Sequence, residues 1–227
     1  MTLVMFDMDG TLIDTQALIA EHMARTFEDA GLRPPTPAEA RRVIGLSLPL
    51  ALGRLAGNDD PAIIDPMVDA YKAHYRASLV ADSSREALFP GALDALNRLR
   101  VRSDTELGIA TGKGLAGVER ILSLHGIAGH FVSFQTPDHN PSKPHPGMIH
   151  RAMNERGALA TDTIMVGDTT FDIEMGKAAG AWAIGVSWGY HEADELLAAG
   201  ADILIDTFDQ LDAAIEQLME QEHARPA

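Results

Sequence analysis

The chain has 227 residues, a formal net charge of −15 and no cysteine, a length that suits one large domain or a domain with a smaller insert. The acidity disfavours non-specific binding to nucleic acid or an anionic membrane. The missing cysteines remove disulfides, a thiolate nucleophile and Cys-ligated zinc, and they fit a reducing cytoplasm.

No apolar run approaches about 18 residues, so no membrane span is expected. No basic-then-apolar leader is visible either. The first apolar run, residues 3–6, has strand length and ends in "FDMDGT", which places Asp7 and Asp9 just past it. From residue 14 to 83 only helical patterns occur, at 16–30, 38–44, 48–55 and 61–79. The turn signals "GLRPPTP", "IGLSLP" and "AGNDDP" separate them. A polar join, "ADSSREALFPG", leads into a helix at 92–99.

Strand and helix then alternate. Strands are expected at 107–110, 131–134, 163–166, 182–186 and 203–205. Helices are expected at 115–125, 148–156, 173–179, 193–199 and 209–223. This alternation predicts a parallel sheet covered on both faces, a three-layer Rossmann-like α/β core. Residues 1–14 and 84–227 would form that core, interrupted by a helical insert over 15–83. The connections at 13–16 and 82–90 would act as a hinge pair.

Open parallel sheets bind ligands at the carboxyl ends of their strands. Four predicted strands are followed by polar residues there. These are Asp7 and Asp9, then Thr111, Gly112 and Lys113, then Lys143 in "NPSKPHPG", then Asp168 and Asp172 in "GDTTFDIEMG". Carboxylates gathered on one rim repel one another, at about 4 kcal/mol per pair near 4 Å and an effective dielectric of 20. A hard divalent cation relieves that, and oxygen ligands without His or Cys favour Mg²⁺. With Lys143 beside it, a phosphate monoester finds a positive pocket inside an acidic protein.

The chemistry follows from the residue types. An aspartate can serve as nucleophile and form an aspartyl-phosphate. A second carboxyl two residues on can protonate the leaving alcohol and then deprotonate water. Thr111 and the Gly112 amide can hold phosphoryl oxygens, while Lys143 offsets developing charge. One competing motif is "GKGLAG", residues 112–117, which spells a dinucleotide-binding fingerprint. It follows the second strand and lacks a well-placed acid, so its glycines are read as helix-start geometry.

These residues resemble a known family. "FDMDGTLIDT", "IATGK", "SKPHPG" and "MVGDTTFDIEMG" occur in order, as in the haloacid-dehalogenase-like hydrolases and, within them, the phosphoglycolate phosphatase group. The tail "AAGAWAIGVSWGYHEADELLAAGADILI" continues the likeness. The resemblance implies a Mg²⁺-dependent phosphatase acting on a small phosphorylated metabolite, with phosphoglycolate favoured, as a monomer or homodimer.

It implies Asp7 as nucleophile and metal ligand, and Asp9 as general acid/base with its carbonyl on the metal. Thr111, Gly112 and Lys143 would bind the phosphoryl group. Asp168 would complete the metal site and Asp172 would support it. The insert corresponds to that group's α-helical cap domain, whose substrate contacts are expected around Arg41–Ser47, residues 41–47. A phosphosugar mutase of the β-phosphoglucomutase type, or a pyrophosphatase, is the alternative. Leu48 stands where the mutases carry an arginine, which lowers the mutase reading.

Overall fold

The computed structural model describes residues 1–81 and 85–223. Its centre is a six-stranded sheet of order β5-β4-β1-β6-β7-β8, comprising β1 (Thr2–Phe6), β4 (Thr105–Ala110), β5 (Phe131–Gln135), β6 (Thr163–Gly167), β7 (Trp182–Val186) and β8 (Ile203–Ile205). Every pairing is parallel. All six expected strands are present within a residue or two at each end.

Successive β1 side chains serve opposite faces, as the period of two requires. Val4 and Phe6 join α5 (Ala92–Arg100), α6 (Leu115–Leu124) and α10 (Leu211–His223) in one apolar cluster. Leu3 and Met5 join α7 (Gly147–Arg156) and α8 (Thr170–Ala178) in another. The sheet is therefore a middle layer with both faces dry, which is why its strands read as continuous apolar runs. A short α9 (Ala193–Ala198) closes the far edge through Leu196 against Ala183 and Ile173.

Strand order reverses between β1 and β6. The chain first builds outward through β4 and β5, then returns to the other side of β1. The crevice at a doubly wound sheet's switch point lies there, and Asp7 and Asp168 follow those two strands.

Between β1 and α5 the chain forms four helices: α1 (Gln16–Asp29), α2 (Pro37–Arg41), α3 (Leu48–Ala56) and α4 (Pro61–Ala81). Thr36 caps α2 through a capping box with Glu39, and Pro37 occupies the first turn, where its missing N–H costs nothing. The helices share a core of Leu18, Met23, Ile44, Tyr71 and Tyr75, which Tyr190 from beyond β7 also joins.

The sequence reading missed one feature. Residues around the first connection form β2 (Ile13–Asp14), which pairs antiparallel with β3 (Ala87–Leu88). Where two free hinge strands were expected, a two-residue ribbon ties the chain's way out to its way back. The expected boundary at residues 83 and 84 lies outside the described residues. Two helix starts also differ. α8 begins at Thr170, because Thr169 and Asp172 form a capping box. The last helix begins at Leu211, after a single 3-10 turn at Phe208–Gln210.

Candidate active site

Asp7 leaves β1 with its N–H bonded to the Val166 carbonyl of β6, which fixes where its side chain emerges. Asp168 leaves β6 beside it, and Asp172 sits in the first turn of α8. One carboxylate oxygen from each lies within 4.8 Å of the others, the one group of three possible metal ligands among the described residues. All three side chains are buried. No histidine joins them.

Lys143 enters from the loop after β5 and is wholly buried. Its Nζ stands 2.9 Å from Asp7 Oδ1 and 2.5 Å from Asp172 Oδ1. The other Asp172 oxygen accepts from the Thr169 N–H at 3.0 Å and its hydroxyl at 2.7 Å. Asp168 accepts from the Thr11 hydroxyl at 2.8 Å and the Tyr190 N–H at 2.9 Å. Asp172 and Asp168 are thus fixed by four donors besides Lys143. Asp7 differs: Oδ1 has only the ion pair, and Oδ2 has no hydrogen-bond partner.

Three carboxylates against one ammonium leave a formal charge of −2 (3 minus 1) in a buried space. Burial first, and then Asp172, push the Asp7 carboxyl up to about 7, although Lys143 pulls against them. Burial and the Asp172 and Asp7 charges hold Asp168 well above the ordinary range. Burial works against the Lys143 ammonium, but Asp172 and Asp7 more than offset it and leave it above its usual value. A divalent cation would balance the charge on these three clustered oxygen donors, so the residues present fit such an ion.

Asp9 is two residues on but turned elsewhere. Its carboxylate accepts from the Thr15 hydroxyl at 2.6 Å and pairs with Lys113 Nζ at 3.1 Å. Thr15 is held in turn by Tyr190, whose hydroxyl accepts the Thr15 N–H at 3.2 Å. The sharp turn after Asp9 needs Gly10. Its φ is +92°, and a Cβ there would collide with the Asp168 carboxylate. The Asp9 carbonyl accepts no backbone hydrogen bond among the described residues.

Thr111 and Gly112 lie at the end of β4 beside Asp7 and Asp9, on the wall of one cavity. Thr111 accepts the Lys113 N–H at 3.3 Å. Its own hydroxyl hydrogen and the Gly112 N–H have no acceptor among the described residues. The Gly45 and Leu46 carbonyls press so closely on Gly112 that a side chain could not fit there. The cavity has a volume of about 510 Å³, and its other walls come from α1, α3, α4, the turn before α3, the start of α6 and Asp138.

The expected insert segment divides in two. Val43, Ile44, Gly45 and Leu46 line the cavity. Arg41 and Arg42 turn away instead, to Tyr190 O, Glu192 and Glu195 on the core side. Ser47 N–H donates to Ser142 at 2.9 Å and adds a further tie across the seam. The glycine-rich "GKGLAG" opens α6, whose first N–H, that of Leu115, is already engaged. Asp138 accepts the Leu115 N–H at 2.7 Å, where a pyrophosphate would otherwise bind.

Sequence reasoning missed Thr11, Thr15, Thr169 and Tyr190, which position the acids. Only Thr169 carried a readable sign, the T-x-x-D spacing to Asp172. It also missed Glu86, which is buried beside β3. Glu86 accepts from Tyr75 of α4 at 2.6 Å and from Arg120 Nη2 of α6 at 2.6 Å.

A doubly wound sheet with a buried carboxylate trio and lysine at its switch point defines a Rossmann-like α/β enzyme of acid-cluster type. The family model described as "Haloacid dehalogenase-like hydrolase" matches residues 4–186, and the chain belongs to that family. A protein of Dickeya dadantii named "Probable phosphatase IndB" is 36% identical over 220 residues, which cover 96% of this chain and 94% of the relative. A phosphoglycolate phosphatase of Pseudomonas putida is 31% identical over 212 residues, covering 90% and 76%. The solved structure of a haloacid dehalogenase-like family hydrolase from Streptococcus pneumoniae superposes with a TM-score of 0.80 at 25% identity, over 94% of this chain and 98% of that one. The family and fold expected from the motifs are therefore borne out.

Proposed function

We propose that the protein is a Mg²⁺-dependent phosphatase that hydrolyses a small phosphate monoester through an aspartyl-phosphate. The observation that carries this is the asymmetry among the acids. Both oxygens of Asp168 and of Asp172 have donors, while Asp7, which lines the cavity, keeps one oxygen without a hydrogen-bond partner. A nucleophile needs a free lone pair, and a structural acid does not.

Asp7 Oδ2 would attack phosphorus, forming a P–O bond as the ester P–O bond breaks. Asp9, ion-paired with Lys113 in this structure, would take up a proton once that pair opens, give it to the departing alcohol and later take one from the water that attacks the acyl-phosphate. The Thr111 hydroxyl and Gly112 N–H, both free to donate, would hold phosphoryl oxygens. Lys143 would lie beside the charge that develops. Asp7, Asp168 and the Asp9 carbonyl would hold Mg²⁺, which supplies a positive charge against the phosphoryl oxygens. Asp172, with both oxygens occupied, would orient Lys143 instead. The helical insert over 15–83 would act as the cap that closes water out.

Phosphoglycolate is the first ester to test, since the resemblance favours it and it gives several relatives their name. The mutase alternative gains nothing from Leu48, an aliphatic side chain on the cavity wall. The deciding experiment measures phosphate release from a panel of small esters, with Mg²⁺ and with excess chelator. Release that needs Mg²⁺ and stops in chelator is expected, and full activity in chelator would remove the metal. Phosphate migration on a hexose phosphate, without free phosphate, would favour a mutase.

A further inference from the structure

The cavity is much larger than a phosphoryl group and a two-carbon acid require. Cavities of about 300 to 1,000 Å³ are typical of drug-sized ligands, and phosphoglycolate has only about nine non-hydrogen atoms. At about 510 Å³ this cavity lies within that range. Away from the acids and from Lys113, Arg120 and Asp138, which are already engaged, its walls are mainly apolar: Ile19 and Met23 of α1, Ile44 and Leu46 of the turn before α3, Tyr71 and Tyr75 of α4.

Two polar features interrupt the apolar surface. The Tyr71 residue is only 8% exposed, lines the cavity, and its hydroxyl makes no hydrogen bond among the described residues. Lys72 and Arg76, one helical turn apart on α4, also line the cavity but are exposed, so they stand at its mouth. Neither has an ion-pair partner among the described residues. The other cations of this cavity differ, since Lys113 is paired with Asp9 and Arg120 with Glu86. Two unmatched cations at one opening in a chain of net charge −15 attract an anionic group that reaches out from inside.

Resting on the phosphatase reading, we propose that the leaving group is a ring-sized, mainly apolar alcohol bearing an anionic group at its far end. The ring lies against Tyr71 and Tyr75, and the anion meets Lys72 and Arg76. The Tyr71 hydroxyl supplies a hydrogen bond along the way.

The test compares kcat/KM for phosphate release from phosphoglycolate, benzyl phosphate and 4-carboxybenzyl phosphate in Mg²⁺. All three leave as aliphatic alcohols, so the comparison reads recognition rather than leaving-group acidity. 4-Carboxybenzyl phosphate is expected to exceed phosphoglycolate by about tenfold or more, since each apolar contact is worth roughly that. In the double variant Lys72→Gln, Arg76→Gln, the ratio of 4-carboxybenzyl to benzyl phosphate is expected to fall about tenfold. Both residues are exposed, so the variant is expected to fold. Phosphoglycolate as the best of the three, or an unchanged ratio in the variant, overturns the proposal and leaves the phosphatase reading standing. No release from any ester overturns the phosphatase reading, and this proposal with it.

Discussion

The two sides of the cavity are built on opposite plans. On the sheet side, polar groups are buried and tightly bound, with Lys143, Asp168, Asp172 and Thr169 each held by at least two partners or sealed from water. On the helical side, the wall is aliphatic and aromatic, and the Tyr71 hydroxyl and the Lys72 and Arg76 cations make no hydrogen bond or ion pair among the described residues. Chemistry needs donors fixed in advance, because reorganising them during the reaction raises the barrier. Recognition of a varied organic group needs shape and dryness. On the function proposed above, the sheet side would set the reaction and the helical side the substrate.

This contrast can be broken from either side. Replacing Asp7 by Asn removes the one acid with a free oxygen. Turnover is expected to fall by about a thousandfold or more, as for other nucleophile losses, while far-UV circular dichroism stays unchanged. Near-normal hydrolysis would end the nucleophile assignment. Lys143→Met probes the buried network itself. It strands Asp7 and Asp172 without their cation, and breaking a buried pair costs about 3 kcal/mol or more. Urea unfolding of the metal-free protein measures this, and an unchanged midpoint would mean the acids are neutralised another way.

Glu86 tests the seam between the two sides. Burial pushes its carboxyl up, but Arg120 and Tyr75 more than offset that and leave it below the ordinary value of 4.5. A carboxyl depressed in the folded state adds stability at pH above 4.5, and that stability is lost as pH falls through the folded value. Glu86→Gln is expected to cost about 1 to 3 kcal/mol at pH 7. The gap between wild type and variant should close below about pH 4.5. A gap that is constant with pH would exclude the ionised pair as its source. The smallest effect is expected at Arg42. Its pair with Glu195 is more than a third exposed on both sides, so Arg42→Ala should cost about 0 to 1 kcal/mol. A larger loss in thermal unfolding would reveal a role that geometry does not suggest.

The same contrast explains what could be read from the sequence. Asp7, Asp9, Thr111, Lys143 and Asp168 each follow an apolar run of strand length, and a parallel sheet brings the carboxyl ends of all such runs to one rim. That logic needs no knowledge of distant contacts, so these five residues and the six strands were legible. Thr11, Thr15 and Tyr190 were not. A hydroxyl becomes a positioning group only through the carboxylate it meets, and Tyr190 meets Thr15 across 175 positions. The β2–β3 ribbon escaped because two residues per strand carry no periodicity. On the helical side, the helices were legible from spacing. Their inner wall was not, because which side chains face the core depends on how four helices dock.

The ribbon has one more consequence. Ile13 pairs with Leu88 and Asp14 with Ala87, so the helical segment leaves and rejoins the sheet at neighbouring points. Topologically it is an ornament on a single hairpin stem. A foreign segment with the same stem spacing could be joined there, provided that Thr15, which holds Asp9, and the packing around Tyr190, whose N–H holds Asp168, are kept. Were the insert to set the substrate, as proposed above, chimeras joined at this ribbon would carry its selectivity with them.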